Sequence, residues 1–452
     1  MKPATSRPNV LFLLADDHRC QAVRSNGDPV VRTPVLDALA GRGTSFQSAY
    51  IHGGCSAAVC VPSRAAIMSG VNPFRAHEQL AAGADVPARH SGVQSGRIRP
   101  GLALMAETFR TAGYRTFATG KWHNDKASFQ RCFSDARDVF FGGMCDHARV
   151  PVQDFDPAGK YGSERERIGA EDSSVLFANA TIDFLRGTDR ATPFFAYAAF
   201  TAPHDPRTPP PEFRQMYPAA DMPLPPNFQR EHPFDNGELR IRDEQLAGLP
   251  REPAEVRQHI ADYYGMVSHL DHQIGRIFQA LEAHGAENTL VVYVADHGLA
   301  LGQHGLLGKQ NLYDHSIRVP LIVAGPGVPA GRRPEGLVYS HSLFATLCEL
   351  SGIEIPATVE APSLRTVWAH GAPGCDAVFA AYKDLQRMVR RGAWKLIEYT
   401  VPGQPRRRQL FNLAKDPWET RDLENDLPNR VEELALELEA QRAAFGAPTP
   451  AT

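Results

Sequence analysis

Residues 9–17 read Asn9-Val-Leu-Phe-Leu-Leu-Ala15-Asp16-Asp17, a run of apolar side chains that ends in two adjacent carboxylates. The run is far shorter than the roughly 20 residues that span a bilayer, and no small-residue cleavage site of a signal peptide follows it. A short continuous apolar run is typical of a strand buried on both faces of a parallel sheet. The stretch therefore predicts an α/β fold, with Asp16 and Asp17 at the carboxyl end of an interior strand.

Two further predicted strands end in polar side chains in the same way. Thr289-Leu-Val-Val-Tyr-Val-Ala295 is followed by Asp296 and His297, and the predicted strand at residues 193–200 precedes His204. Since α/β proteins bind ligands at the carboxyl edge of the sheet, we expect these side chains to lie together. Buried carboxylates are costly unless a cation neutralises them, and aspartate oxygens suit Ca²⁺ or Mg²⁺. For an isolated Asp pair the alternative is a solvated turn.

The composition is that of a soluble globular protein. The chain has 452 residues, of which 43% are hydrophobic and 22% charged, and a net charge of -3. This charge indicates neither a nucleic-acid partner nor an anionic membrane surface. The seven cysteines are scattered without zinc spacing or a disulfide framework, which predicts a reducing, cytoplasmic compartment. Export after removal of a signal in the precursor stays open, as does the oligomeric state.

The order of predicted elements divides the chain into two parts. Helices and buried strands up to residue 360 predict a large, mostly parallel sheet sandwiched by helices. After a Pro-rich stretch at residues 355–362, short strands at hairpin spacing and a closing amphipathic helix at 431–445 follow. We therefore predict a catalytic domain at residues 1–360 and, at 361–452, an α+β subdomain with a small antiparallel sheet.

A second stretch carries the chemistry of the chain. Cys60-Val61-Pro62-Ser63-Arg64 opens a predicted helix that ends at Gly70, with proline in its first turn. The start of a helix favours an anion because its N–H groups are free and its dipole is positive there. This position suits a nucleophile that attacks a sulfate or phosphate ester, whereas the alternative is a buried structural cysteine.

The pattern Cys60-x-Pro62-Ser63-Arg64 resembles the signature of the type I sulfatases, in the alkaline-phosphatase-like superfamily. The resemblance implies that Cys60 is oxidised to Cα-formylglycine, also called 3-oxoalanine, whose hydrated aldehyde is the nucleophile. It also implies a formylglycine-generating enzyme as a partner during maturation, which reads Pro62 and Arg64. The alkaline-phosphatase-like fold that it implies agrees with the α/β prediction made above.

The resemblance runs from Asn9 to about residue 422 and implies roles for further residues. Lys121 and Lys309 hold sulfate oxygens, His123 contacts the nucleophile, and His204 protonates the leaving alcohol. The implied catalytic set is Cys60, Arg64, Lys121, His123, His204 and Lys309. The resemblance also implies one divalent cation, Ca²⁺ with Mg²⁺ or Mn²⁺ as alternatives, whose ligands are Asp16, Asp17, Cys60, Asp296 and His297.

Two positions depart from the family pattern. The usual Leu-Gly after the Gly-Lys-x-His motif is replaced by Asn124-Asp125, and the usual Asp-Asn metal pair is Asp296-His297. The Asp-His pair also occurs in choline-sulfatase-like enzymes and phosphonate monoester hydrolases of the superfamily. A phosphonate monoester or phosphodiester hydrolase is therefore the first alternative to a sulfatase. A catalytically inactive protein that binds sulfated sugars and an unrelated α/β binding protein are the others.

The sequence gives less information about the substrate. We predict that the insert at residues 74–100, the Pro-rich excursion at 206–253, His304, Gln386 and Arg387 line the pocket for the leaving group. Basic residues there suit a carboxylated or multiply sulfated saccharide, and the alternative is that the arginines are solvated. The predicted substrate is a carbohydrate sulfate.

Overall fold

The structure, a computed structural model, describes residues 7–79, 96–370 and 373–449. Most of the insert that we predicted at residues 74–100, including His90, lies outside these ranges. None of the described helices is long and apolar enough to cross a membrane.

The strands of the described chain are β1 (Asn9–Ala15), β2 (Gly43–Ser45), β3 (Ala49–Tyr50), β4 (Gly53–Gly54), β5 (His77–Gln79), β6 (Gly96–Ile98), β7 (Arg115–Lys121), β8 (Asp135–Phe140), β9 (Pro151–Val152), β10 (Arg167–Ile168), β11 (Phe194–Ala199), β12 (Thr289–Ala295), β13 (Leu321–Ala324), β14 (Val338–Tyr339), β15 (Ala377–Tyr382), β16 (Gln386–Arg391), β17 (Trp394–Tyr399) and β18 (Arg407–Asn412). Its α-helices are α1 (Pro34–Arg42), α2 (Cys60–Ser69), α3 (Pro73–Ala76), α4 (Met105–Thr111), α5 (Lys126–Cys132), α6 (Ser173–Gly187), α7 (Pro211–Arg214), α8 (Pro253–His284), α9 (Asp314–Ile317), α10 (Leu343–Leu350), α11 (Arg365–His370) and α12 (Pro428–Phe445).

The large sheet has seven strands in the order β2-β13-β12-β1-β11-β7-β8. The five strands from β12 to β8 are parallel, and β13 is antiparallel to both of its neighbours. Helices α1, α6 and α8 pack together on one face, and α2, α4 and α10 on the other. The predicted mostly parallel sheet sandwiched by helices is confirmed.

The apolar run of β1 explains why this strand is central. Its residues from Val10 to Ala15 are buried, because β1 has β11 on one side, β12 on the other and helices above and below. The register pairs Leu14 with Ala199 and Ala15 with Ala295, so three strands end at the same level. The polar residues that follow these strands are thereby placed side by side.

The smaller sheet has the order β18-β17-β16-β15-β4 and is antiparallel except for the β15–β4 pair. This confirms the predicted C-terminal antiparallel sheet, against which α12 packs. Strand β4, which lies just before Cys60, forms the edge of this sheet. The C-terminal sheet is therefore joined by hydrogen bonds to the segment that leads to α2. The division at residue 360 stays a prediction.

Two predicted elements differ from the structure. The sequence predicts one short strand at residues 45–50, but the structure divides this stretch between β2 and β3, which join different sheets. The sequence also predicts a helix at residues 339–351, but this stretch begins as strand β14 and a 3-10 turn, because Val338 and Tyr339 pair with β3. In both cases the backbone conformation is decided by strand partners that are distant in sequence. The local pattern of apolar residues carries no information about these partners.

Candidate active site

The polar residues after the parallel strands converge at one edge of the large sheet. Asp16 and Asp17 follow β1, Asp296 and His297 follow β12, and the backbone N–H of Asp17 donates to Asp296 Oδ1 at 3.3 Å. Lys121 is the last residue of β7, and its Nζ bonds to Asp16 Oδ2. The expected meeting of these side chains at the carboxyl edge is therefore present.

Cys60 is the first residue of α2, and all ten residues of this helix are buried. Its Sγ lies 3.1 Å from His123 Nδ1 and 3.8 Å from Lys121 Nζ. The helix ends at Gly70, whose φ of 66° closes it in the left-handed region. The helix thus presents the side chain of residue 60 to an imidazole, an ammonium and the carboxylates of Asp16 and Asp296.

The surroundings of residue 60 favour negative charge there. Burial alone would raise the pKa of the Cys60 thiol, but His123 and Lys121 outweigh it and hold that pKa well below its ordinary value. Burial lowers the pKa of His123, so its ring favours the neutral form that accepts a proton. An anionic oxygen in place of the sulfur would meet the same field.

A group of four side chains has the composition of a cation site. The ligand atoms of Asp16, Cys60, Asp296 and His297 all lie within 4.8 Å of one another. Asp16 Oδ1 and His297 Nε2 are buried without a hydrogen-bond partner, which is costly unless something else binds them. Two carboxylates and one imidazole suit a hard divalent cation, whereas the thiol of Cys60 is a softer donor. The residues present therefore fit the predicted metal, and Asp17 lies beside them.

The charges of the site are arranged as pairs. Arg64 Nε binds Asp296 Oδ2 at 2.7 Å, Lys309 Nζ binds Asp17 Oδ1 at 3.0 Å, and Lys121 binds Asp16. Burial lowers the pKa of His297, but Asp17 and Asp296 raise it to about 10. The three carboxylates are thus matched by two lysines and one arginine. A divalent cation would displace the proton from His297 and make the site attractive to an anionic ester.

His204 contacts Lys309, whose Nζ also binds Asp17, and the ring of His204 is held by a hydrogen bond to the backbone. Its Nδ1 lies 2.7 Å from the backbone oxygen of Asp205, so Nδ1 carries the hydrogen, and its Nε2 lies 3.0 Å from Lys309 Nζ. His147 Nε2 lies 2.9 Å from the backbone oxygen of His204 and donates to it. Nε2 is therefore the nitrogen that remains available for proton exchange.

The backbone at the site is held in unusual conformations. Asp17 and His123 have φ values of 65° and 54°, which non-glycine residues adopt at a cost. Gly143 accepts a hydrogen bond from Lys121 Nζ through its carbonyl at 2.6 Å. A Cβ atom at residue 143 would lie 2.6 Å from His123 Nε2, so glycine is required for this approach.

Three residues that we predicted in the substrate pocket lie outside this cluster. His304 is buried with its ring stacked on Tyr313 at 3.9 Å, and Gln386 donates to the backbone oxygens of Asn236 and Gln310. Arg387 is fully buried and pairs with Glu398 at 3.7 Å. The structure does not bring these side chains to Cys60, since each is engaged in packing between loops or under the C-terminal sheet. That these three residues contact the substrate stays a prediction.

Sequence reasoning missed several supporting groups. Ser63 donates to the backbone oxygen of Asp296 at 2.6 Å, which ties α2 to the end of β12. Asp125, one of the departures from the family pattern, accepts from Ser128 N at 2.8 Å and caps α5. The capping could have been found from the Asp125-x-x-Ser128 spacing, whereas the contact of Ser63 has no local signal.

Comparison with known families supports the geometry. The chain matches the family described as sulfatase over residues 8–353. It also matches the family described as N-sulphoglucosamine sulphohydrolase, C-terminal, over residues 302–444. Together the two matches span most of the chain.

Curated relatives carry sulfatase names. The chain is 27% identical to an arylsulfatase of Clostridium perfringens over 93% of this chain and 90% of that protein. It is 25% identical to an N-acetylglucosamine-6-O-sulfatase of Bacteroides thetaiotaomicron, over 94% of this chain and 82% of that protein.

Solved structures share the fold. One, described as a complex with its substrate D-glucosamine-2-N,6-O-disulfate, superposes with a TM-score of 0.80 at 20% identity and covers 98% of both chains. The phosphonate monoester hydrolase of Agrobacterium radiobacter gives a TM-score of 0.74 at 22% identity, over 97% of this chain and 96% of that one.

Proposed function

We propose, because the chain belongs to the sulfatase family, that this sulfatase hydrolyses a sulfate monoester of a saccharide through residue 60 in its formylglycine form. The observation that carries the proposal is the position of residue 60, buried at the start of α2 and 3.1 Å from His123. A hydroxyl group there would lie next to a base and beside the candidate metal ligands. A formylglycine-generating enzyme is the maturation partner that the proposal requires.

Each absent group has one defined task in this proposal. A hydrated formylglycine at residue 60 would supply one hydroxyl to attack sulfur and a second hydroxyl whose deprotonation expels sulfate. A divalent cation held by Asp16, Asp17, Asp296 and His297 would neutralise sulfate oxygens and favour ionisation of the attacking hydroxyl. We propose Ca²⁺, with Mg²⁺ or Mn²⁺ as alternatives, because the donors are mainly carboxylate oxygens.

The side chains divide the proton transfers between them. His123, whose pKa is lowered by burial, accepts a proton from the group at residue 60. His204 donates a proton from Nε2 to the departing alcohol, because its Nδ1 is committed to the backbone of Asp205. Lys121 and Lys309 stand between these two histidines and the carboxylates, where they complement the oxygens of the sulfate.

The names of relatives support a saccharide substrate. The N-acetylglucosamine-6-O-sulfatase and the structure with bound D-glucosamine-2-N,6-O-disulfate both concern amino-sugar sulfates. We propose a carbohydrate sulfate for this chain on that basis, without naming the sugar or the sulfate position.

Hydrolysis of phosphonate monoesters is the second candidate. The pair Asp296-His297 replaces the usual Asp-Asn pair, and two phosphonate monoester hydrolases share the fold with TM-scores of 0.74 and 0.73. A site that stabilises a sulfuryl transition state can also accept a phosphonate, because both have anionic equatorial oxygens around the reacting atom.

The ratio of kcat/KM for an aryl sulfate to that for the matching aryl phosphonate separates the two candidates. The matured protein is assayed with one divalent cation at a time, and desalted sulfated saccharides and choline sulfate follow in the same buffer. We expect the sulfate to be preferred and a sulfated saccharide to be hydrolysed. A preference for the phosphonate, or no hydrolysis of any sulfate ester by protein with the aldehyde at residue 60, would contradict the proposal.

A further inference from the structure

Buried cationic side chains in the described part of the chain divide into two groups. Six of the eight pair with a carboxylate: Arg64, Lys121, Arg251, Lys309, Arg387 and Lys395. The other two, Arg19 and Arg207, have no carboxylate within ion-pair distance among the described residues, although they are only 6% and 9% exposed. Burying a cation without a counter-charge is expensive, so these two guanidinium groups require an explanation.

The two arginines approach the same turn of helix α8. The backbone N–H of Arg19 donates to the hydroxyl of Tyr263 at 2.9 Å, and that hydroxyl donates to the backbone oxygen of Asp17 at 2.8 Å. Arg207 donates from Nη1 to His259 Nδ1 at 3.0 Å. His259 and Tyr263 are one helical turn apart and share a face of α8. Burial raises the pKa of the Tyr263 hydroxyl, and the charges of Arg19 and Arg207 both oppose this rise, so the two guanidinium groups lie near the same turn of α8.

Neither guanidinium group has its full hydrogen-bonding capacity used, although Arg207 makes one bond, from Nη1 to His259. The Nε atoms of both arginines are buried without a partner. Asp205, the acid two residues before Arg207, is occupied by Arg242, which binds its two oxygens at 2.6 and 3.0 Å. An arginine with unused N–H donors and an unmatched charge is well suited to bind a planar carboxylate or a sulfate.

The region adjoins the leaving-group side of the active site. Arg207 follows His204 by three residues, and Arg19 follows Asp17 by two. Both arginines retain a small exposed surface, in contrast to Arg64 and Arg251, which are 1% exposed and bind Asp296 and Glu244. The region of the two unpaired arginines is thus joined to the active site through Tyr263, whose hydroxyl donates to the backbone oxygen of Asp17.

We propose that Arg19 and Arg207 form a second anion subsite, which binds a carboxylate or a second sulfate of the saccharide that carries the scissile sulfate. This inference rests on the proposed function and adds a substrate class to it, a saccharide with at least two negative groups. The paired cations of the active site bind the reacting sulfate, and the unpaired arginines bind the other anion.

Competition experiments with the matured enzyme test the subsite. Hydrolysis of an aryl sulfate is the reporter, and the competitors are N-acetylglucosamine 6-sulfate, glucosamine 2-N,6-O-disulfate and iduronic acid 2-sulfate. The wild type should bind at least one of the two-charge competitors about tenfold or more tightly than the one-charge competitor. The disulfate and the uronate distinguish a second sulfate from a carboxylate as the bound group.

In the variants R19Q and R207Q, the ratio of the affinities for the two-charge and the one-charge competitors should fall towards one. The variant R207K should retain part of the preference. The matched control is R214Q, since Arg214 lies in the same excursion but is exposed and pairs with Asp262 at 3.3 Å. Equal weakening of all competitors, an unchanged preference in both variants, or no preference in the wild type would overturn the subsite.

Thermal unfolding separates this inference from the proposed function. Because the arginines are unpaired, R19Q and R207Q should melt no lower than the wild type, and the two-charge competitors should raise the melting temperature of the wild type more than that of the variants. This readout holds even if no sulfate ester is hydrolysed, which would contradict the proposed function alone. Melting of both variants well below the wild type would indicate a structural role and overturn the subsite.

Discussion

Residue 60 lies where the fold concentrates positive charge and a base. Lys121 Nζ at 3.8 Å and His123 Nδ1 at 3.1 Å both face its side chain. A thiol can form an anion at this position, but it offers one nucleophilic atom and no way to expel sulfate once it is bound. A hydrated aldehyde has two hydroxyl groups, so the attack and the release are performed by different oxygens.

The variant C60S isolates the attack from the release. Serine Oγ can attack sulfur while His204 protonates the departing alcohol, but serine has no second hydroxyl to expel the sulfate. We expect turnover to stop and the peptide with residue 60 to gain the mass of one SO₃ group. The control is C55S, because Cys55 is a neighbouring cysteine whose Sγ contacts His77 at 3.3 Å instead. Multiple turnover by C60S at the parental rate would contradict the mechanism.

His204 should matter most when the leaving alcohol is a poor one. Loss of a general acid typically costs about 10²–10⁴ in rate, and an activated aryl leaving group needs less protonation. We expect H204Q to lower kcat/KM strongly for an alkyl or saccharide sulfate and much less for 4-nitrophenyl sulfate. Equal losses on both substrates would assign His204 to binding and not to proton donation.

At the scale of elements, the Pro-rich excursion at residues 206–253 contacts the loop that carries Lys309 and holds it through hydrogen bonds. Glu244 accepts hydrogen bonds from the N–H groups of Leu307 and Gly308 at 2.9 and 2.8 Å, and Arg251 binds the same carboxylate at 2.5 Å. Asp243 accepts from Gln310 Nε2 at 2.8 Å. Two adjacent acids thus fix the backbone before Lys309 and the side chain of the residue after it.

The variant E244Q should misplace Lys309 without removing it. An amide has one acceptor oxygen, so one N–H group of the loop and part of the Arg251 fork are left unpaired, at a cost of about 1–3 kcal/mol in stability. We expect kcat to fall roughly 10- to 100-fold, as small misplacements of reacting groups do, with bound metal per chain unchanged. E252Q is the control, because Glu252 is exposed and pairs with the exposed Arg230, away from the loop of Lys309. Full activity of folded E244Q would contradict this positioning role.

Strands whose own residues show a clear apolar pattern could be predicted from the sequence. Strands whose bounds depend on pairing with distant segments could not. The runs at β1 and β12 are apolar throughout because both faces of the sheet are covered, and the sequence shows this directly. The break between β2 and β3 follows from pairing with β13 and β14, far along the chain. The motif residues indicated the site, whereas the unmatched charges of Arg19 and Arg207 become apparent only when every possible partner has been located.

At the scale of the whole molecule, many imidazoles are buried in the neutral form. Burial lowers the pKa of His341 and His304 to about 3 and that of His232 to about 4. An unfolded histidine has a pKa of about 6.5, so between these values the unfolded state binds more protons than the folded one. Each such group makes the free energy of unfolding fall as the pH falls below about 6.

The variant H341F tests whether a buried neutral histidine makes the free energy of unfolding depend on pH. Phenylalanine keeps the ring contacts that His341 makes with His52 and Tyr339, at centroid distances of 4.7 and 5.3 Å, and cannot take up a proton. The wild type should lose about 1.4 kcal/mol more stability per pH unit than H341F between about pH 6 and pH 3.5. Denaturant unfolding at several pH values measures the difference, and parallel pH profiles for the two proteins would contradict it.

The proposed activity depends on the chemical state of residue 60 in the active protein. Trypsin releases residues 43–64 as one peptide that contains both Cys55 and Cys60, so fragment masses can assign the aldehyde to one of the two positions. Across preparations with different degrees of maturation, we predict that specific activity on a sulfate ester rises in proportion to the fraction of aldehyde at residue 60 and extrapolates to zero without it. Full sulfatase activity in a preparation whose residue 60 is an unmodified thiol would contradict the account.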